Sequence, residues 1–298
     1  MRIAITGSSG LIGSALSEHL VARGDEVIHL VRRRPRSGTE RQWDPATKQL
    51  DPELIADCDG VVSLHGTGIG DKRWNPSYKR EILTSRTHGT TALATALAAL
   101  AERGHRVRWV SASGVGIYGD RGEEPLDESS AAGEGYLSEV VLAWERATRP
   151  AEDAGVPVAH ARSGIVLSPD GGAMKPLLRM LRLGVGGPFG RGRAWWPWIT
   201  LRDEVRGLVF LLDHPEVTGP VNFASPRPAR QGKVIKAIAR AMHRPALVPV
   251  PPPALRIVVG GFADEILASQ RVEPRVLLEA GFSFDHATLE SAAAWVTD

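Results

Sequence analysis

Scarcity sets the first limits. The 298 residues hold one cysteine, Cys58, so an internal disulfide framework and a zinc cage built on several thiolates are both excluded. Net charge is scarce too: 36 Lys and Arg against 34 Asp and Glu leave +2, too even for bulk charge to imply a nucleic-acid or membrane partner. Apolar runs are short. The opening MRIAITG meets glycine before it could form a signal h-region, and the stretch 255–263 is broken by Arg256 and too short to cross a bilayer. A cytoplasmic protein without a membrane or nucleic-acid partner is therefore expected. The nine histidines show no His-x-x-x-His spacing and no accompanying carboxylate cluster, so no metal site is expected.

What is present is ordinary for a folded chain: 43% hydrophobic and 23% charged residues exclude general disorder. Short β-rich runs alternate with longer helical patterns. Strands are expected at Arg2–Thr6, Glu26–Val31, 60–64, 106–111, 156–162 and 221–224. Helices are expected at Leu11–Arg23, 79–102, 136–154, 203–212, 231–242, 255–270 and 286–296. That rhythm means parallel βαβ units: an α/β, Rossmann-type doubly wound parallel sheet with a smaller C-terminal α/β region. The expected division is a nucleotide-binding domain over 1–165, to which 199–225 returns, and a substrate region over 166–298. The stretch 168–198, rich in Gly, Pro and Trp, reads as connecting structure.

Residues 6–13 (TGSSGLIG) carry the strongest local signal. Gly7, Gly10 and Gly13 recur every third position, after a strand and opening a helix. The first permits a tight turn, the second a close backbone approach to a pyrophosphate, and the third close packing of helix on sheet. Ser9, Leu11 and Ile12 complete the loop whose amides and helix dipole face the anion. The second strand ends in Arg32, Arg33 and Arg34, where NAD-specific folds place an acid. Arginine there suits an adenosine 2′-phosphate, so NADP(H) is the expected cofactor.

These residues, with 64–74 (LHGTGIGDKRW), Ser85-Arg86, 111–119 (SASGVGIYG), 162–172 (RSGIVLSPDGG), Gly186-Gly187-Pro188, Trp198-Ile199, Asp203, 243–245 (HRP) and 269–272 (SQRV), resemble one family along nearly the whole chain. It is the atypical "epimerase family" branch of the extended short-chain dehydrogenase/reductases, with a C-terminal domain of unassigned function. The resemblance implies bound NADP(H) and a substrate held between core and C-terminal region. His65, Gly66, Ser111, Arg162, Gly164 and Ile165 would line the nicotinamide side, with Ser85 and Arg86 on the long helix beside the cofactor. Relatives often pair through the helices corresponding to 76–103 and 136–154, which implies a homodimer.

Short-chain reductases typically use a Ser or Thr, a Tyr and a Lys four residues later. Ser113 and Tyr136 match the first two, but Val140 stands where the lysine belongs, and no lysine occurs between Lys79 and Lys175. A free phenol has a pKa near ~10 and needs a neighbouring cation to work at neutral pH. Arg86 is the candidate replacement. The expected function is an NADP(H)-dependent oxidoreductase acting on a small-molecule carbonyl or alcohol, with Ser113, Tyr136 and Arg86 as its catalytic set. Two alternatives stay open: a non-catalytic NADP(H)-binding regulator, and a nucleotide-sugar epimerase or dehydratase. The Trp195, Trp196 and Trp198 cluster reads either as a substrate wall or as packing.

Overall fold

The computed structural model describes residues 1–172, 174–184 and 186–298. In chain order the strands are β1 (Arg2–Thr6), β2 (Glu26–Val31), β3 (Glu40–Gln42), β4 (Gly60–Ser63), β5 (Arg108–Gly114), β6 (Pro125–Leu126), β7 (Val158–Ser163), β8 (Ile165–Leu167), β9 (Trp195–Trp196), β10 (Trp198–Thr200), β11 (Gly219–Phe223), β12 (Ala229–Arg230) and β13 (Arg271–Val272). The helices are α1 (Leu11–Arg23), α2 (Pro76–Glu102), α3 (Tyr136–Arg146), α4 (Arg149–Asp153), α5 (Met174–Arg182), α6 (Leu201–Asp213), α7 (Gln231–Ala241), α8 (Pro252–Val259), α9 (Phe262–Leu267), α10 (Arg275–Glu279) and α11 (Leu289–Thr297).

Seven strands form one parallel sheet in the order β11-β7-β5-β4-β1-β2-β3. The inner strands are buried on both faces because helices cover both, while the edge strand β3 is partly exposed. Alternation along β1 sends Ile3 and Ile5 into a core with Leu16 and Leu20 of α1 and Leu208 and Leu211 of α6. It sends Ala4 into the opposite core, with Leu93, Leu97 and Leu100 of α2 and Trp109 of β5. Each fully buried aliphatic side chain contributes about 1.5–3 kcal/mol, so the sheet is the main stabilising layer. The chain winds outward from β1 through β2 to β3, then crosses back to β4 on the other side of β1. That reversal opens a crevice at the carboxyl ends of β1 and β4, where open α/β sheets bind ligands.

The structure departs from the sequence expectation where punctuation was overlooked. The long helix starts at Pro76 rather than 79, because the Asn75 side chain accepts the Tyr78 N–H and proline suits the first helical turn. The expected helix 136–154 is two, α3 and α4, because Pro150 has no N–H to donate to the Arg146 carbonyl. The expected helix 255–270 divides at Gly260-Gly261. Strand β3 and helix α5 lie in stretches read as loop. In α5, Met174, Leu177, Leu178 and Leu181 form a buried face, a helical period masked by its glycine-rich flanks.

A third core joins α5, α7 and α11 with Trp196 and Trp198, which settles both tryptophans as packing residues. Asp203 ties this region to the sheet's helix layer. The Thr200 hydroxyl caps α6 by accepting the Asp203 N–H, and the Asp203 carboxylate accepts the backbone N–H of Asp285 (2.7 Å) and His286 (3.0 Å). Asp203→Ala leaves these partly buried amides without their acceptor, and we expect a loss of about 2 kcal/mol. It should appear as a lower urea midpoint at unchanged m-value, with Asp203→Asn losing less.

Candidate functional site

The turn after β1 has no room for side chains. Gly7 has φ +68°, and a Cβ there would lie 2.6 Å from the Leu64 carbonyl oxygen at the end of β4. A Cβ on Gly13 would lie 2.3 Å from the Gly7 carbonyl oxygen. The Gly10 N–H donates back to the Gly7 carbonyl (3.0 Å), and α1 opens at Leu11 with no side chain capping its first amides. Ser9 and Gly10 are exposed, while Leu11 and Ile12 pack on the sheet-side core. A helix amino end left uncapped beside a crevice is suited to a phosphate group.

At the end of β2, among the described residues, one of the three arginines is ion-paired and two are not. Arg33 is held in a two-pronged pair with Glu40 of β3 (2.7 and 2.5 Å). That bond, with the Arg36 N–H, lowers the Glu40 pKa to about 2. Arg33 is therefore engaged by Glu40 in this structure. Arg32 is exposed and, among the described residues, enters no ion pair.

At the end of β4, Thr6 links two strands: its hydroxyl oxygen accepts the Leu64 N–H (3.1 Å) and lies 2.8 Å from His65 Nδ1. Nε2 is buried without a hydrogen-bond partner. The imidazole fits because α2 carries Gly89 opposite, where a Cβ would meet Nε2 at 2.3 Å, and Trp43 meets the ring edge-on at 5.2 Å. Burial lowers its pKa to about 4, outweighing the opposing influence of the Arg86 backbone carbonyl.

Arg86 donates to the carbonyls of Thr67 (2.9 Å) and Ile82 (3.1 Å), stacks over the Trp144 ring at 5.0 Å, and lies against Gly66. Burial lowers its pKa to about 10, so it stays cationic at neutral pH. The neighbouring Ser85 hydroxyl accepts the Thr67 N–H at 3.0 Å, fixing the start of the 67–75 loop.

The third predicted grouping separates. Alternation along β5 places Trp109, Ser111 and Ser113 on one face, toward the α2 and α3 layer. Ser111 meets the Ser63 hydroxyl at 3.3 Å. The Ser113 hydroxyl donates to Glu145 of α3 at 2.6 Å, and Arg162 grips the same carboxylate through two N–H groups (2.8 and 2.9 Å). Burial alone would raise Glu145, but Arg162 and Ser113 outweigh it and hold the carboxyl below its usual range. Arg162 also donates to the Tyr118 hydroxyl, which donates in turn to Asn222 of β11. Ser113 and Arg162 therefore belong to a buried network under the sheet edge. Ser113 and Tyr136 are each bonded elsewhere, to Glu145 and to the Lys79 carbonyl.

Gly164 and Ile165 continue β7 past its end. A Cβ on Gly164 would lie 2.0 Å from the Pro197 carbonyl oxygen, and Ile165 pairs with Trp198. Beside them Ser163 donates to Glu204 of α6, a carboxyl that burial pushes up to about 8. Glu204 and Glu145 escaped the sequence reading because neither stands in a glycine-rich or strand-end motif.

Tyr136 opens α3. Its hydroxyl donates to the Lys79 backbone carbonyl on α2, and its ring meets Trp74 edge-on at 5.1 Å. Phe262 of α9 lies 5.3 Å from Trp74, so the C-terminal region walls this side. Burial raises the Tyr136 pKa against the opposing charge of Arg86. Arg86 does act to lower this phenol, as expected, but desolvation outweighs it, and the hydroxyl stays protonated at neutral pH.

A parallel sheet with a glycine-backed helix amino end at its switch point defines a dinucleotide-binding α/β protein. Residues 3–224 match the NAD dependent epimerase/dehydratase family, and 250–296 match a domain of unknown function, DUF1731. An epimerase family protein of Mycobacterium bovis is 40% identical over 99% of this chain and 97% of its own length. The chain belongs to the NAD dependent epimerase/dehydratase family. Human epimerase family protein SDR39U1 (isoform 2), solved with NADPH, superposes with a TM-score of 0.90 at 32% identity, covering 100% of this chain and 99% of that one. UDP-N-acetylglucosamine 4-epimerase from Bacillus cereus shares the fold, with a TM-score of 0.79 at 19% identity over 100% and 98% of the two chains.

Because folding lowers the His65 pKa from 6.5 to about 4, the unfolded chain takes up that proton first. Its stabilising contribution is complete above pH 6.5, is lost as pH falls, and is gone below about pH 4. Relative to His65→Gln, the wild type should lose about 3 kcal/mol across that window. Urea midpoints measured through the range check this, and parallel profiles for the two proteins would refute it.

Proposed function

We propose that this chain is an NADP(H)-dependent oxidoreductase acting on a small-molecule carbonyl or alcohol. The observation that carries the reading is the uncapped amino end of α1 behind Gly7 and Gly13, with the unpaired Arg32 at the end of the adjacent strand. The likeness to SDR39U1, a protein solved with NADPH, supports the same cofactor.

The residues fit the group. The amides from Gly10 to Gly13 would hold the diphosphate, since Gly7 and Gly13 clear the backbone's approach. Arg32 would meet the 2′-phosphate, which Arg33 cannot do while bound to Glu40. His65, Gly66 and Arg86 would border the nicotinamide end, where bound cofactor supplies hydride chemistry. His65 is neutral there and Arg86 is the fixed cation. Tyr136 holds a proton at neutral pH and would give it to a substrate oxygen as that oxygen gains charge, which favours reduction. Ser113 plays no part while Glu145 keeps its hydroxyl.

Titration of the purified chain should show tighter association with NADPH than with NADH. Arg32→Gln should weaken NADPH binding about tenfold and leave NADH nearly unchanged, the size expected for one charge-assisted phosphate contact. Failure of both nucleotides to bind at millimolar concentration removes the proposal. With a carbonyl panel, Tyr136→Phe should reduce turnover by about a hundredfold or more. Tight NADPH binding without turnover on any carbonyl would instead favour a cofactor-binding regulator.

A further inference from the structure

Val140, the position four residues after Tyr136, is buried against Ile82 and Tyr78, a place where an ammonium would be desolvated. A lysine reaches the phenol from elsewhere. Lys79 precedes Arg86 by seven residues, two turns of α2, so both lie along one face of that helix. The Lys79 ammonium stands 4.6 Å from the centre of the Tyr136 ring and 5.3 Å from that of Trp74. The backbone carbonyl of the same residue accepts the Tyr136 hydroxyl. One residue therefore holds the phenol at both places that matter, its O–H bond and its π face.

We propose that Lys79 is the positioning residue that supplies Tyr136 with the positive charge its own helix lacks. This rests on the reading of Tyr136 as the proton donor. An ammonium over an aromatic face is attracted by the ring's electrons, and more strongly once the ring carries phenolate charge. When Tyr136 gives its proton to a substrate oxygen, the Oη–H bond breaks and a new O–H bond forms on the substrate. The electron pair left on the phenol then lies beneath Lys79. The hydroxyl exchanges the Lys79 carbonyl for the substrate oxygen in the same movement.

The other charges around the phenol are few. Arg86 on α2 favours the phenolate and Glu139 on α3 opposes it. Glu265 on α9, a carboxyl raised by burial, feels the charge of Lys79 and lies beside the start of α3 at Leu137. Trp74 and Phe262 cover the same side. Lys79 and Tyr136 are both half-buried there.

The chain has three tyrosines, so phenolate absorbance resolves Tyr136 as the difference between a protein and its Tyr136→Phe version. Lys79→Arg keeps a cation through the whole alkaline titration and Lys79→Met removes it. The Tyr136 midpoint should lie about one pH unit lower in the arginine variant than in the methionine variant, with wild type between them. Lys79→Gln replaces the methionine variant if that protein does not fold. Equal midpoints in the charged and uncharged variants overturn the proposal, as does a midpoint that moves with Arg86→Gln and not with Lys79. NADPH titration of the Lys79 variants should give affinities within about twofold of the wild type. Absence of NADPH binding in wild type would remove the oxidoreductase reading, while the tyrosine spectra would still decide the role of Lys79.

Discussion

The carbonyl of Leu64 and the α-carbon of Gly7 approach so closely that a single added methyl group would collide. That contact lets the turn after β1 lie directly on the end of β4. Gly13 then brings the first turn of α1 down on the same loop, which aims its amides into the crevice. The placement of α1 beside α6 follows, since both share the core on that face of the sheet. From α6, Asp203 carries the geometry outward to the segment at 285–286. A site at the crevice, a helix layer and the docking of the C-terminal region are thus linked through one glycine turn.

The buried charges divide by the end of the sheet they occupy. At the amino-terminal end, Arg108 donates to the carbonyls of Leu211, Pro157, Pro215 and Val217. It closes strand and helix ends, and burial lowers its pKa to about 10. At the carboxyl-terminal end the polar groups keep unsatisfied capacity: His65 Nε2 and Glu204 Oε2 are buried without partners. Leaving such groups unpaired is costly, and the cost is tolerated where a site needs neutral, directed donors and acceptors. The Glu145–Arg162 pair lies between these extremes. It is fully engaged, and it holds the Ser113 hydroxyl.

The C-terminal region is more than a cover. Gln270 donates to the carbonyls of Val115 and Gly119, holding the loop after β5, and Phe262 packs on Trp74 beside Tyr136. The wall next to the phenol therefore comes from two distant parts of the chain. Its aromatic residues exclude water on that side, which is why burial rather than Arg86 sets the direction of the Tyr136 shift.

Local rules made the core legible. Glycines at 7, 10 and 13 behind a buried strand, and apolar residues at helical or alternating spacing, determine secondary structure through near-neighbour sterics. From them the doubly wound sheet and its phosphate turn could be read directly. Helix boundaries were misplaced where Pro150, Asn75 or Gly260 carried the only signal, and the edge strand β3 and the helix α5 lacked a clear one. Partnerships between side chains were not legible in the same way. Arg33 met Glu40 on a strand hidden in a loop, Ser113 met Glu145 across a sheet-to-helix gap, and Lys79 met Tyr136 from another helix. A missing lysine at 140 looked like a missing charge because spacing along one helix was the only measure at hand. Which cation stands over which ring depends on how α2 and α3 lie against each other, and that is set by packing among residues far apart in the chain.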